Sequence, residues 1–199
     1  MSRIVTFAQQ KGGAGKTTVL TQLAHHWLAS GLKVALVDLD PQGSLTRWAA
    51  MRSDMACTAS SDWKAGSDIR AAARKADLVL VDCPGNADIL LRATIRDSDL
   101  VIAPSQPSMM DLWALEPVLE MAKKEKTPLR VLLNRVPPTG RAAQDAREVL
   151  GADLLDQHLG NRVIFQQAFA MGKAAAELQP RSKAAIEVSA VAAEIDAIS

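Results

Sequence analysis

Five short apolar runs punctuate the chain, at residues 4–8, 33–37, 78–81, 100–103 and 129–133. Each is four or five residues long and rich in Val, Ile and Leu, with no polar residue at every second place. Unbroken apolar runs of this length are what strands covered on both faces require. Between them lie helical patterns at 16–30, 44–51, 67–75, 87–95, 111–124 and 141–150. Gly31 is placed to cap the first of these at its C-terminus. After residue 134 the pattern weakens, with helices expected at 162–171 and 182–198. Strand and helix alternating in this way predict an α/β fold of three layers, a mostly parallel twisted sheet between two helix layers. No internal repeat, low-complexity tract or linker interrupts it, and Pro137-Pro138-Thr139-Gly140 reads as a loop. Residues 1–199 are therefore expected to form a single domain.

The densest chemical signal follows the first run. Lys11-Gly12-Gly13-Ala14-Gly15-Lys16-Thr17-Thr18 joins a predicted strand to a predicted helix. In that context glycines let the backbone approach an anion and turn successive N–H groups toward it, at the positive end of a helix. Lys16 can reach β- and γ-phosphates, and the Thr17 hydroxyl can ligate Mg²⁺.

The usual phosphate-binding loop has a glycine five residues before Gly15. Here that residue is Gln10, and a second lysine, Lys11, stands at the front of the loop. This arrangement resembles the deviant Walker A loop of the ParA/MinD family of P-loop ATPases, and the likeness is closest to small plasmid-type partition ATPases. The resemblance implies ATP and Mg²⁺ as ligands, bound by Gly12, Gly13, Ala14, Gly15, Lys16, Thr17 and Thr18. It also implies hydrolysis to ADP and phosphate, with Lys11 reaching across an ATP-dependent homodimer.

Other strand ends extend the likeness. Asp38-Leu39-Asp40-Pro41-Gln42-Gly43 resembles the family's second acidic element, in which Asp40 positions or activates the attacking water and Asp38 supports the Mg²⁺ region. Ser44 and Thr46 are expected to cap the next helix. The run ending in Asp82-Cys83-Pro84-Gly85 has the Walker B arrangement, so Asp82 approaches Mg²⁺ directly or through water. Asp111 corresponds to the start of a helix near the dimer face. Asn134 is assigned the adenine edge, and Asn134-Arg135-Val136-Pro137 lacks the Asn-Lys-x-Asp of GTPases, which favours ATP. Arg162 either helps the nucleotide pocket, faces DNA or is a surface arginine.

Composition narrows the rest. The 199 residues carry a net charge of +1 with 48% apolar and 23% charged residues, ordinary for a globular domain. Two cysteines, Cys57 and Cys83, without a CxxC pair, indicate neither a disulfide framework nor a metal site. No signal peptide and no run near the ~20 apolar residues of a bilayer span is visible, so a cytoplasmic protein is expected, nucleoid-associated in its ATP state. Residues 184–196 are amphipathic but acidic, unlike the basic membrane helix of MinD-type relatives, so no membrane partner is expected. The absence of tyrosine removes the related bacterial tyrosine kinases.

The family resemblance leaves two readings of function. In the first, the ATP dimer binds DNA without sequence preference and segregates plasmid or chromosomal DNA together with a small ParB-like activator. Arg181 and Lys183 are then the leading DNA contacts, with Arg135, Arg141, Arg147 and Lys173 as further candidates. No N-terminal helix-turn-helix for operator binding is expected. In the second, the chain is a MinD-like or cargo-positioning ATPase that places a protein assembly rather than DNA.

Overall fold

The computed structural model describes residues 2–61, 63–85 and 88–198. Six strands form one sheet: β1 (Arg3–Phe7), β2 (Val34–Asp38), β3 (Ala56–Ala59), β4 (Leu78–Asp82), β5 (Leu100–Ser105) and β6 (Leu129–Leu133). They lie in the order β3-β2-β4-β1-β5-β6, and every neighbouring pair is parallel. Parallel strands need long crossovers, and helices supply them: α1 (Lys16–Ala29), α2 (Ser44–Ala50), α3 (Ala65–Ala73), α4 (Asp88–Arg96), α5 (Met109–Trp113) and α6 (Glu116–Glu125). Beyond β6 come α7 (Ala142–Leu150), α8 (Val163–Ala170), α9 (Ala175–Leu178) and α10 (Lys183–Asp196).

The strands carry no polar alternation because successive side chains enter two different cores. Leu36, Leu80 and Ile102 pack with Leu23, Trp27, Trp48 and Ile195 on the face covered by α1, α2, α8 and α10. Their neighbours Val37, Val79, Val81 and Val101 pack on the other face with Ile69, Leu91, Ile95 and Val118 from α3, α4 and α6. Both sets are buried, so either side of each strand must be apolar.

The five expected strands are present, each within two residues of its expected ends. β3 was not anticipated. Ala56-Cys57-Thr58-Ala59 is an edge strand paired only with β2, and its residues are exposed or half-buried, so no apolar run marks it. The single helix expected at 111–124 is two. Pro117 at the start of α6 has no N–H for a bond to Trp113, and the chain re-enters helix after Leu115. α9 is a further short helix that the weak pattern concealed. The start expected at residue 87 lies outside the described residues, and α4 begins at Asp88. α1 ends as expected, with Leu32 N–H bonded to Trp27 O and Gly31 N–H to Leu28 O just past the Ser30 cap.

Leu80 lies on the central strand β4 and is fully buried, whereas Ile89 on α4 is 90% exposed. Leu80→Ala is expected to cost about 2–5 kcal/mol and Ile89→Ala within about 0.5 kcal/mol, read from urea unfolding midpoints at unchanged slope.

Candidate active site

The strand register brings the acidic strand ends together. Phe7 of β1 pairs with Asp82 of β4, and Asp82 pairs in turn with Asp38 of β2. Three parallel strands thus stop level, and the loop of residues 8–15 leaves β1 at that edge to enter α1. Open parallel sheets bind ligands there. The loop, the turns after β2 and β4, Arg135 and Phe169 enclose an open cavity of about 760 Å³. A larger hollow of about 890 Å³ lies beside it between α3 and α4, but among the described residues no lysine or arginine lines it. A phosphate chain needs cations and N–H donors, so the smaller cavity is the anion site.

Gly12, Gly13, Gly15, Lys16, Thr17 and Thr18 all line that cavity. Gly15 caps α1 with no side-chain acceptor, leaving the first N–H groups of the helix without side-chain partners. Its φ of 93° already favours glycine. Space demands glycine as well, because a Cβ there would lie 2.3 Å from Asn134 Nδ2. Ala14 is buried, with its carbonyl turned to that same amide.

Asn134, expected at the adenine edge, makes that contact. Its Nδ2 donates to Ala14 O at 3.0 Å and its Oδ1 accepts from Arg135 N–H at 2.9 Å, with the residue only 4% exposed. The side chain props the loop, using one of its two amide hydrogens and one of the two acceptor positions of Oδ1.

Asp82 has the features of a metal-side carboxylate. Its Oδ2 accepts from the Thr17 hydroxyl at 2.5 Å, while Oδ1 is buried without a partner. Burial pushes its carboxyl up to about 7, against the Thr17 hydrogen bond and the Lys16 charge. A buried acceptor lacking a partner beside a hydroxyl and a lysine fits Mg²⁺ held with phosphate oxygens. Lys16 has no carboxylate partner among the described residues and borders the cavity. Asp38, expected to support the Mg²⁺ region, is bonded within its own turn. Its two oxygens take the N–H groups of Asp40 and Thr46 and the Thr46 hydroxyl, at 2.8–3.1 Å. These bonds shape the turn that follows β2. Thr46 therefore binds Asp38, and neither Ser44 nor Thr46 caps α2, whose cap is Gly43. Asp40, released from β2 before Pro41, borders the cavity, with Oδ1 accepting from Gln42 N–H.

Lys11 lies at the mouth, its ammonium 2.8 Å from Asp111 in α5. Asp111 is also bonded to the Ser108 hydroxyl, and both contacts hold its carboxyl below the usual range against the opposing effect of burial. Met110 and Trp113 of the same short helix are strongly exposed.

The expected DNA contacts separate into three groups. Arg135 borders the nucleotide cavity. Arg147 is paired with Asp156 and bonded to Leu155 O. Arg141, Lys173, Arg181 and Lys183 are exposed, with no carboxylate partner among the described residues. Arg162 is held by Glu187 of α10. Cys83 is fully buried, and burial holds its thiol protonated. Sequence reasoning missed Arg135 and Phe169 as cavity residues, for neither stands in a phosphate motif.

The family model of the CobQ/CobB/MinD/ParA nucleotide-binding domain matches residues 5–174. The chain belongs to this family. It is a P-loop ATPase of the ParA/MinD type. Among its relatives, "Maintenance of carboxysome distribution protein A" of Halothiobacillus neapolitanus is 31% identical over 194 residues, covering 90% of this chain and 89% of that one. "Protein ParA" of Rhizobium radiobacter is 32% identical over 127 residues, covering 62% of this chain and 57% of its own length. Among solved structures, the Pyrococcus furiosus cell division ATPase MinD superposes with a TM-score of 0.84 over all of both chains at 22% identity. The apo McdA structure from Cyanothece gives 0.77 over 96% of this chain and 99% of that one at 19% identity. At those identities the structures bear on the fold alone. Among the described residues no helix of this ATPase is long and apolar enough to cross a membrane.

Asp82→Asn is expected to stabilise the nucleotide-free ATPase at pH 8. A carboxyl with a raised value binds its proton in the folded state when the unfolded chain has lost it, so wild-type stability falls as pH rises from about 4 to about 7. Asparagine removes that slope and gains up to about 4 kcal/mol above pH 7. Melting temperatures of both proteins from pH 5 to 8, without Mg²⁺ or nucleotide, check this; parallel curves would contradict it.

Proposed function

We propose that this chain is an ATP-driven positioning ATPase that distributes a protein assembly, using an ATP-dependent homodimer as its switch. The relative from Halothiobacillus, matched over nine-tenths of both chains, carries this reading. The matched ParA relative covers under two-thirds of either chain, so plasmid partition has the weaker support.

In this reading the loop N–H groups and Lys16 hold the β- and γ-phosphates of ATP. Thr17 and Asp82 hold Mg²⁺, which when bound neutralises charge on the β/γ oxygens. Asp40 orients the attacking water at the γ end of the cavity. Gly85 approaches the Gln10 carbonyl so closely that a Cβ would lie 2.8 Å away. The turn after Asp82 thus lies against the front of the loop, where a γ-phosphate would touch both. Lys11 exchanges Asp111 for the partner's nucleotide when two ATP-loaded copies meet. The exposed Met110 and Trp113 beside that ion pair supply apolar area to such a face. Hydrolysis removes the charge that Lys11 answers, and the pair separates.

The ATP dimer uses DNA as a track through phosphate contacts made by Arg181 and Lys183, which flank the N-terminus of α10. A small ParB-like adaptor encoded with the cargo triggers hydrolysis.

Retention on non-specific duplex DNA at low salt, with ATP·Mg²⁺ and with ADP, tests the switch. Binding with ATP alone is expected, and it should be lost or weakened at least tenfold in Arg181→Ala/Lys183→Ala while ATP hydrolysis persists. DNA binding equal in both nucleotides would overturn the switch. Lys11→Ala is expected to bind ATP within a few-fold of wild type and remain monomeric in size-exclusion with light scattering. A dimer surviving that substitution would remove Lys11 from the interface.

A further inference from the structure

Two pieces of chain leave the nucleotide cavity and meet again away from it. Phe169, near the end of α8, borders the cavity, and residues 172–177 lead on from there to Arg181 and Lys183 at the start of α10. On another side, Asp40, Pro41, Gln42 and Ser44 line the cavity, and α2 continues from them to Ala50. The meeting point is the far end of α2. Gly172 lies so close there that a Cβ on it would sit 2.5 Å from the Met51 Cβ.

Arg52 locks this junction. Its guanidinium donates to Gly172 O at 2.9 Å and to Glu177 of α9 at 2.6 Å, and it forks onto both oxygens of Asp54 at 2.7 and 2.8 Å. It also lies 5.0 Å from the centre of the Trp48 ring, whose own N–H donates to Lys173 O at 3.3 Å. Glu177 accepts in addition from Ala174 N–H at 2.7 Å. The Arg52 side chain is only 6% exposed, so it is no surface contact for a ligand. A planar fork with several acceptors fixes direction as well as distance, whereas apolar packing between the same elements would let them slide. With seven residues, α2 is a rod of about 10 Å between the Asp40 turn and the lock.

We infer that Arg52 is a positioning residue, tying residues 172–177 to α2 so that the turn carrying Asp40 sets where Arg181 and Lys183 stand. The inference rests on the proposed DNA track. With the lock closed, a shift of the Asp40 turn on loading ATP is carried along α2 to the start of α10. With the lock open, the same shift ends at Ala50.

The combined substitution Arg52→Met/Glu177→Gln tests this on the full chain. Methionine keeps an apolar stem beside Trp48, glutamine keeps an acceptor for Ala174 N–H, and the net charge is unchanged. The Asp54 side chain, 48% exposed, returns to water, so no buried charge is left alone. An unchanged melting temperature verifies folding. Should the pair fail to fold, Glu177→Gln alone carries the same test with a smaller loss, about threefold. The measurements are retention on duplex DNA with ATP·Mg²⁺ over a range of salt, ATP hydrolysis, and the size of the ATP complex. Hydrolysis and the dimer are expected to persist unchanged. DNA affinity is expected to fall at least about tenfold and to depend less steeply on salt, because fewer phosphates are contacted. On the Arg181→Ala/Lys183→Ala background the lock substitutions are expected to cost nothing further, since residues that act through one another do not add. A full additional loss on that background, or a folded lock variant that binds DNA like wild type, would overturn the inference. Loss of the dimer together with DNA binding would place the effect at the nucleotide and overturn it as well. A wild type that fails to bind DNA with ATP removes the track, and the inference with it.

Discussion

A carboxylate with one oxygen bonded and the other bare is costly to bury, yet Asp82 lies at the centre of the sheet with β2 on one side and β1 on the other. Its bonded oxygen takes the hydroxyl of Thr17, the second residue of α1, so the helix that follows the phosphate loop is tied to the middle strand. The bare oxygen and the raised carboxyl record an environment shaped for a positive charge that the protein does not itself provide. Lys16 is nearby but does not close the gap. The unfilled requirement is therefore a property of the fold: the central strands must be apolar to be covered on both faces, and the carboxylate at their end inherits that burial.

Other groups at the same edge are organised around keeping the loop in place. Asn134 comes from β6, two strands away from β1, and bonds Ala14 from beneath. Asp38 bonds three donors of its own turn and leaves Asp40 at the cavity border. Each of these polar residues was read from sequence as a ligand contact. In the structure each bonds the backbone of a nearby residue that borders the cavity: Arg135 in one case, Asp40 in the other. Neighbouring polar residues at a strand end point in different directions, and only the tertiary packing decides which one borders the cavity.

The parts legible in the sequence are those in which local chemistry and burial agree. Five strands were visible because both of their faces are covered, and the phosphate loop because glycines, lysine and threonine between strand and helix have one strong physical use. β3 was invisible because an exposed edge strand with two alanines carries no apolar signal. The break between α5 and α6 was marked by Pro117, but its effect depends on where in the helix the missing donor falls. Phe169 and Arg135 were out of reach for a deeper reason. Their importance comes from the sheet order, which brings the end of β6 and the far end of α8 to one cavity, and no spacing along the chain encodes that meeting.

The Lys11–Asp111 pair bears on how the proposed switch could work. With the Lys11 side chain more than a third exposed, its attraction to Asp111 is that of a surface ion pair, about 0–1 kcal/mol. Such a contact cannot by itself hold two copies apart, nor does its loss cost much when they meet. Its effect is on geometry: it keeps a long flexible side chain at the mouth of its own cavity, close to the place a partner's nucleotide would occupy. The control must then lie in the ligand. Two loops lined with N–H donors and lysines repel one another when empty, and a triphosphate in each reverses that sign. A switch built this way needs little stored energy in the protein, because the γ-phosphate carries the charge that decides between one copy and two.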